Sequence, residues 1–85
     1  MARFRKLPVV IDAFHLGTDP MPDWFMDEVT RDHVILRLDQ SIDIRTLEGW
    51  LHGTRGDWII RGVHQEIYPC KPEIFAVTYS EVTDD

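Results

Sequence analysis

The chain has 85 residues, 44% of them hydrophobic, with fifteen Asp and Glu against nine Lys and Arg and a net charge of -6. That length holds one core rather than two, so a single domain over residues 1–85 is expected, with three Trp, four Phe and two Tyr to fill it without disulfide or metal. The acidic balance disfavours nucleic acid as a partner, the lone Cys70 excludes an internal disulfide, and no apolar run is long enough for a signal peptide or membrane span.

These features point to a reducing cytosol and to no membrane association. The one basic cluster is Arg3, Arg5 and Lys6, and Glu81, Asp84 and Asp85 sit near the other end. Terminal charge runs of this kind are usually solvated.

In chain order, Pro8 to Leu16 is rich in Val, Ile and Phe and reads as a first strand, with Pro8 at its start or on an edge. The spacing of Met21, Trp24, Phe25, Glu28 and Val29 predicts a helix. Pro22 suits its first turn, and Asp23, Asp27 and Glu28 lie toward its start, where the helix dipole favours negative charge. Asp19 is a candidate cap. His33 to Leu38 is β-branched and apolar and predicts a second strand, broken by Asp39 and Gln40.

Ile42, Ile44 and Thr46 alternate with Asp43 and Arg45, the period of a half-buried strand. Glu48 and Gly49 supply a turn, with Gly49 able to take a positive φ, and Trp50 to Thr54 returns as the hairpin partner. After Gly56, Asp57 to Arg61 predicts a compact strand, and Gly62 to Gln65 turns into Glu66-Ile67-Tyr68. Pro69 and Pro72 are expected to stop the pairing, Pro72 opening a short helical turn through Phe75. Ala76 to Val82 would be a closing strand. The expected fold is therefore α+β: a mainly antiparallel sheet of about six short strands, one packed helix and a helical turn near the C-terminus. Ile11, Trp24, Phe25, Ile44, Trp58, Ile60 and Phe75 are the expected core.

No motif for catalysis or metal binding emerges. His15, His33, His52 and His64 lack the close pair spacings that bring two imidazoles to one ion, so no metal and no cofactor is expected. Cys70 has a neighbouring ammonium in Lys71, which can lower a thiol pKa, but no local base, and it reads as a structural thiol. The glycines at 49, 53, 56 and 62 are spaced like turns, not like a phosphate-binding loop. The densest stretch is GDWIIRGVHQEIYPCKPEIFAVTY, residues 56 to 79. Its aromatics interleave with Arg61 and Lys71, a combination that can stack a flat ligand and hold its negative charge. Arg61, Tyr68 and Lys71 are thus a candidate ligand site, although the same pattern also serves core filling and turn shaping.

The blocks RFRKLPVVIDAF, IRTLEGW, GDWIIRGV and EIYPCKPEIFAVTYSEV resemble a family of small tailed-phage and prophage proteins related to the PGDYG-type domain. The resemblance runs from Arg3 to Val82 and is weakest from Leu16 to Gln40. Members of that family carry Gly in the turn where this chain has His64-Gln65, and Pro before Gly-Asp where it has Arg55. The resemblance implies a phage accessory protein in a bacterial host cytoplasm and carries no catalytic residue.

Two functions follow. The first is a non-enzymatic protein that binds and modulates a host or phage protein, by strand addition at an unpaired edge with Trp50 as an exposed anchor. The second is a small-ligand binder, nucleotide-like in its target, working through Arg61, Tyr68 and Lys71. So small a domain would need a site shared between subunits of a homo-oligomer for that role. An enzyme would require Asp57, His52 or His64 to meet Lys71 or Cys70, and the sequence supplies no reason for that meeting.

Overall fold

The computed structural model describes residues 1–83. Its elements run β1 (Asp12–His15), α1 (Asp23–Thr30), β2 (Val34–Leu36), β3 (Ile42–Thr46), β4 (Gly49–Gly53), β5 (Trp58–Arg61), β6 (Ile67–Cys70) and α2 (Pro72–Thr78). The class is α+β and the six strands are all antiparallel, but they form two sheets of three, ordered β1-β5-β6 and β2-β3-β4. The expected single sheet is divided because β4 pairs only with β3, and the chain crosses through residues 54–57 to begin the second layer.

Strand alternation assigns the faces. In β2-β3-β4, Val34, Ile44 and Leu51 are in register, as are Leu36, Ile42 and Gly53, and this face is turned inward. In β1-β5-β6, Phe14 opposes Ile59, and both are buried in one cluster with Leu16, Phe25, Val34, Ile42, Ile44 and Ile67. The two sheets thus share a core. Gly53 sits at a close approach of the two sheets: a Cβ there would lie 3.3 Å from Pro69 Cβ and 3.2 Å from Ile42 Cγ1, so a side chain there would require these neighbours to shift.

Helix α1 closes the core at one side. Phe25 is completely buried and meets Phe14 edge to face at 4.9 Å, while Trp24 meets Phe14 at 5.7 Å. Pro22 is the N-cap and Asp23 lies in the first turn. Asp19 does not cap the helix; its carboxylate accepts the His15 backbone N–H at 2.9 Å and shapes the turn after β1. The helix ends with Asp32 at φ 62°, its N–H donated to the Val29 carbonyl and that of His33 to the Glu28 carbonyl. This is the paired bond pattern that finishes a helix through a left-handed residue, here Asp in place of the commoner Gly.

The far face of β1-β5-β6 is covered separately. Ile60 is fully buried there, beneath a ladder of rings: His15 on Trp58 at 4.7 Å, Trp58 on Phe75 at 4.3 Å, both nearly parallel, then Phe75 and Tyr79 at 5.0 Å. Of the expected core, Phe25, Ile44 and Ile60 are buried, whereas Ile11, Trp24, Trp58 and Phe75 are half-buried, the last two because they pack on this outer layer.

Three expectations are corrected. Pairing continues through Pro69, which opposes Ile59; β6 is an edge strand, where a missing N–H costs no ladder bond on the solvent side. The helical turn at Pro72 extends to Thr78, and no closing strand forms over Ala76 to Val82. Phe75 and Tyr79, four apart, share the helix face that lies on the sheet, so ring packing overrides the β-branched character of Val77 and Thr78. Finally, β1 begins at Asp12, not Pro8, because β5 ends at Arg61 opposite it. The turn at residues 62–65 places Gln65 at φ 67°, a left-handed position that glycine takes more readily.

Truncation of Phe25 to Ala is expected to destabilise the protein by about 3 to 5 kcal/mol, measured by urea unfolding; a cost near zero would show that α1 does not close the core.

Candidate functional site

Arg61, Tyr68 and Lys71 do not converge. Arg61 opposes Asp12, and its guanidinium Nη2 donates to the Asp12 carboxylate at 2.5 Å while Cζ lies 5.1 Å from the centre of the Trp24 ring. Tyr68 opposes Ile60, so it projects from the opposite face of the sheet. Lys71, the N-cap of α2, donates through Nζ to both carboxylate oxygens of Asp57, at 3.2 and 3.1 Å. Each cation is matched by a carboxylate of the fold, which accounts for both as positioning groups.

Asp57 is buried, and its carboxylate also accepts the Thr54 backbone N–H at 2.9 Å. A side chain that satisfies a buried N–H and a lysine at once is a structural clamp. Cys70 lies nearby with its thiol pushed up, first by burial and then by the Asp57 carboxylate. A thiol held protonated is a poor nucleophile.

Tyr68 belongs instead to a small polar group on the outer layer. Its hydroxyl lies 3.5 Å from that of Tyr79, and Lys6 Nζ donates to the Tyr79 hydroxyl at 2.7 Å while sitting 4.1 Å from the ring centre. The two phenols are driven apart in acidity. The Lys6 ammonium bonded to Tyr79 lowers its pKa, and burial, followed by the hydrogen bond with Tyr79, raises that of Tyr68. Lys6 stood in a charge cluster that read as solvated, and nothing in its sequence spacing marks its distant partner.

Two concave surfaces stand out among the described residues. The larger, of about 600 Å³, lies between the end of α1, the β3–β4 hairpin and the 62–65 turn. Its floor is Val34, Ile44 and Ile67; on its walls His33 Nδ1 donates to Glu28 Oε2 at 2.6 Å, and Arg45 has no carboxylate partner among the described residues. The helix-ending turn at Asp32 is what folds His33 back on Glu28, so this pair is invisible in residue spacing alone. A carboxylate that orients an imidazole is half of a general-base arrangement. The lining hydroxyl, that of Thr46, is already donated to the Gly49 carbonyl at 2.7 Å, and among the described residues no nucleophile lines the cleft beside the imidazole. Among the described residues no three His, Cys, Asp or Glu side chains gather as metal ligands. The smaller groove, about 420 Å³, runs between residues 9–13 and 79–82.

Trp50 lies on the outward face of β2-β3-β4, opposite Arg45, and is 53% exposed. Beside it, Asp43 accepts from Arg37 and from His52 Nδ1, the latter at 2.7 Å. These bonds, that to His52 first, hold the Asp43 carboxyl below its ordinary pKa.

An ultraviolet pH titration is expected to resolve the two tyrosines, Tyr79 ionising below the ordinary value near 10 and Tyr68 above it. In Lys6→Met the lower step should move up; an unchanged step would show that Lys6 does not hold Tyr79. Replacing Asp57 by Ala should cost about 2 to 3 kcal/mol by leaving the Thr54 N–H unpaired, and Lys71→Ala should cost clearly less because its ammonium is half exposed. Equal losses would place the clamp's strength in the ion pair.

No helix among the described residues is long and apolar enough to cross a membrane. Comparison with protein-family models, curated proteins and solved structures finds no match to this chain.

Proposed function

We propose that this chain is a non-enzymatic accessory protein that binds and modulates another protein, in the bacterial cytoplasm and of the phage or prophage setting that its sequence blocks resemble. The observation that carries the reading is the β4 edge. Among the described residues no β4 backbone group bonds another backbone group outside its ladder with β3, and the strand holds the exposed Trp50, with Leu51 40% exposed and Leu47 fully exposed at the hairpin tip. An open edge supplies main-chain donors and acceptors to an extended segment, and an aromatic anchor supplies the affinity. The partner segment is one with apolar residues at alternate positions to meet Trp50, and with basic flanks to suit a chain carrying fifteen acids.

A second reading, a small-ligand binder, is favoured by one feature, the cleft floored by Val34, Ile44 and Ile67, with His33 on its wall and Arg45, which has no carboxylate partner among the described residues, at its rim. It replaces the dispersed Arg61, Tyr68 and Lys71 as the place to look for a bound anion. The two readings separate in one experiment. Tagged wild type and a Trp50→Ala variant are used to capture host proteins, with mass spectrometry of proteins and of small molecules released on denaturation. A protein retained by wild type and weakened roughly thirtyfold or more in Kd by the variant supports the edge. Retention equal in both would overturn it, and a released anion lost in Arg45→Ala would establish the second reading.

A further inference from the structure

The smaller groove has a construction that the β4 edge does not share. One wall is residues 9–11, the stretch of the expected first strand that β5 does not reach, and the other is residues 80–82 beyond α2. Among the described residues neither wall makes a backbone hydrogen bond to another backbone group. Between them lies a floor of Trp58, Phe75 and Tyr79. Two short segments with unmade main-chain bonds, facing each other over aromatic rings, form a slot for one more extended segment.

The chain also carries a segment of matching character. Residues 1–11 have no secondary structure and no acid, and they hold three of the nine basic residues, Arg3, Arg5 and Lys6. Phe4 is 94% exposed and Leu7 76%. Outside this arm, six basic side chains face all fifteen acids. At the groove itself the acids are Asp12, already paired with Arg61, and Glu81, which has no cationic partner among the described residues.

We propose that residues 3–7 of a second copy of the chain occupy this groove, exchanged reciprocally between two protomers. In an extended arm Phe4 and Lys6 share a face. Tyr79 already accepts an ammonium, since Lys6 of the same chain sits on its ring. A partner's arm seated with its Lys6 on Tyr79 lays its Phe4 along the floor toward Phe75 and turns Arg3 and Arg5 to the side of Glu81. The chain's own arm reaches Tyr79 through Lys6 but leaves Phe4 uncovered, so the apolar contact is unmade in the single copy. Reciprocal exchange satisfies both arms and both grooves under a two-fold axis.

The test is sedimentation equilibrium of the full chain over a range of concentration and salt. A dimer is expected, weakening as salt screens the arm. Phe4→Asp should raise the dimer Kd at least about tenfold, and so should Glu81→Lys. The unfolding curve of diluted monomer should stay unchanged in both variants. A mixture of Glu81→Lys chains with chains carrying Arg3→Glu and Arg5→Glu should recover a heterodimer through the restored charge pair. A monomer at every concentration, including one whose own arm has closed the groove, would overturn the proposal. So would a dimer indifferent to these changes, because it would form through another surface.

Discussion

The fold depends on one buried carboxylate. Asp57 stands at the crossing from one sheet to the other, and every polar group it carries is used. Its N–H donates to the Thr54 carbonyl and its carbonyl accepts the Leu16 N–H, while its carboxylate takes the Thr54 N–H and the Lys71 ammonium. Three segments distant in sequence, the end of β1, the loop after β4 and the corner before α2, are therefore held at one residue. Burying a charge is favourable only where its partners are supplied, and here the three segments supply them together or not at all. The next residue is Trp58, so the clamp also sets the ring on which His15 and Phe75 stack.

From that constraint follows the unequal treatment of the two sheets. The β1-β5-β6 sheet has the shared core on one face and the ring ladder with α2 on the other. The β2-β3-β4 sheet has only the core, and its outer face is left to Asp43, Arg37, His52, Arg45 and Trp50. Such one-sided exposure is normal for antiparallel strands, and it explains why Trp50 on β4 is exposed while Ile60, on a strand of similar length, is fully buried. The surfaces left open are thus the β4 edge and the cleft at Arg45, which the clamp and its ladder do not reach, and the slot between residues 9–11 and 80–82, whose floor is the ladder itself.

Much of the framework was legible in the residues. Ile42, Ile44 and Thr46 alternate as a strand should, Gly49 takes its positive φ of 115° at the hairpin, and Phe25 is the inward residue of a helix marked by its spacing. The candidate site was less legible. Arg61 and Lys71 drew notice as cations among aromatics, but that proximity in sequence says nothing of the carboxylates, Asp12 and Asp57, that come to them from elsewhere in the fold. Glu28 and His33 are brought together by a left-handed residue at Asp32, where the sequence offers no glycine as a signal. Lys6 meets Tyr79 from the other end of the chain.

The division has a physical basis. Periodicity, turn residues and composition are local, and by itself the sequence determined the α+β class, the six strands that form, together with a seventh over Ala76 to Val82 that does not, the two hairpins and the one long-patterned helix. The tertiary structure alone decided that these strands make two sheets, that Ala76 to Thr78 is helical, and that Arg61 and Tyr68 leave opposite faces of one sheet. Those outcomes rest on contacts between residues far apart in the chain: Gly53 against Pro69, Phe75 on Trp58, Lys71 on Asp57. Their energies enter only when the chain has folded, and no local pattern records them.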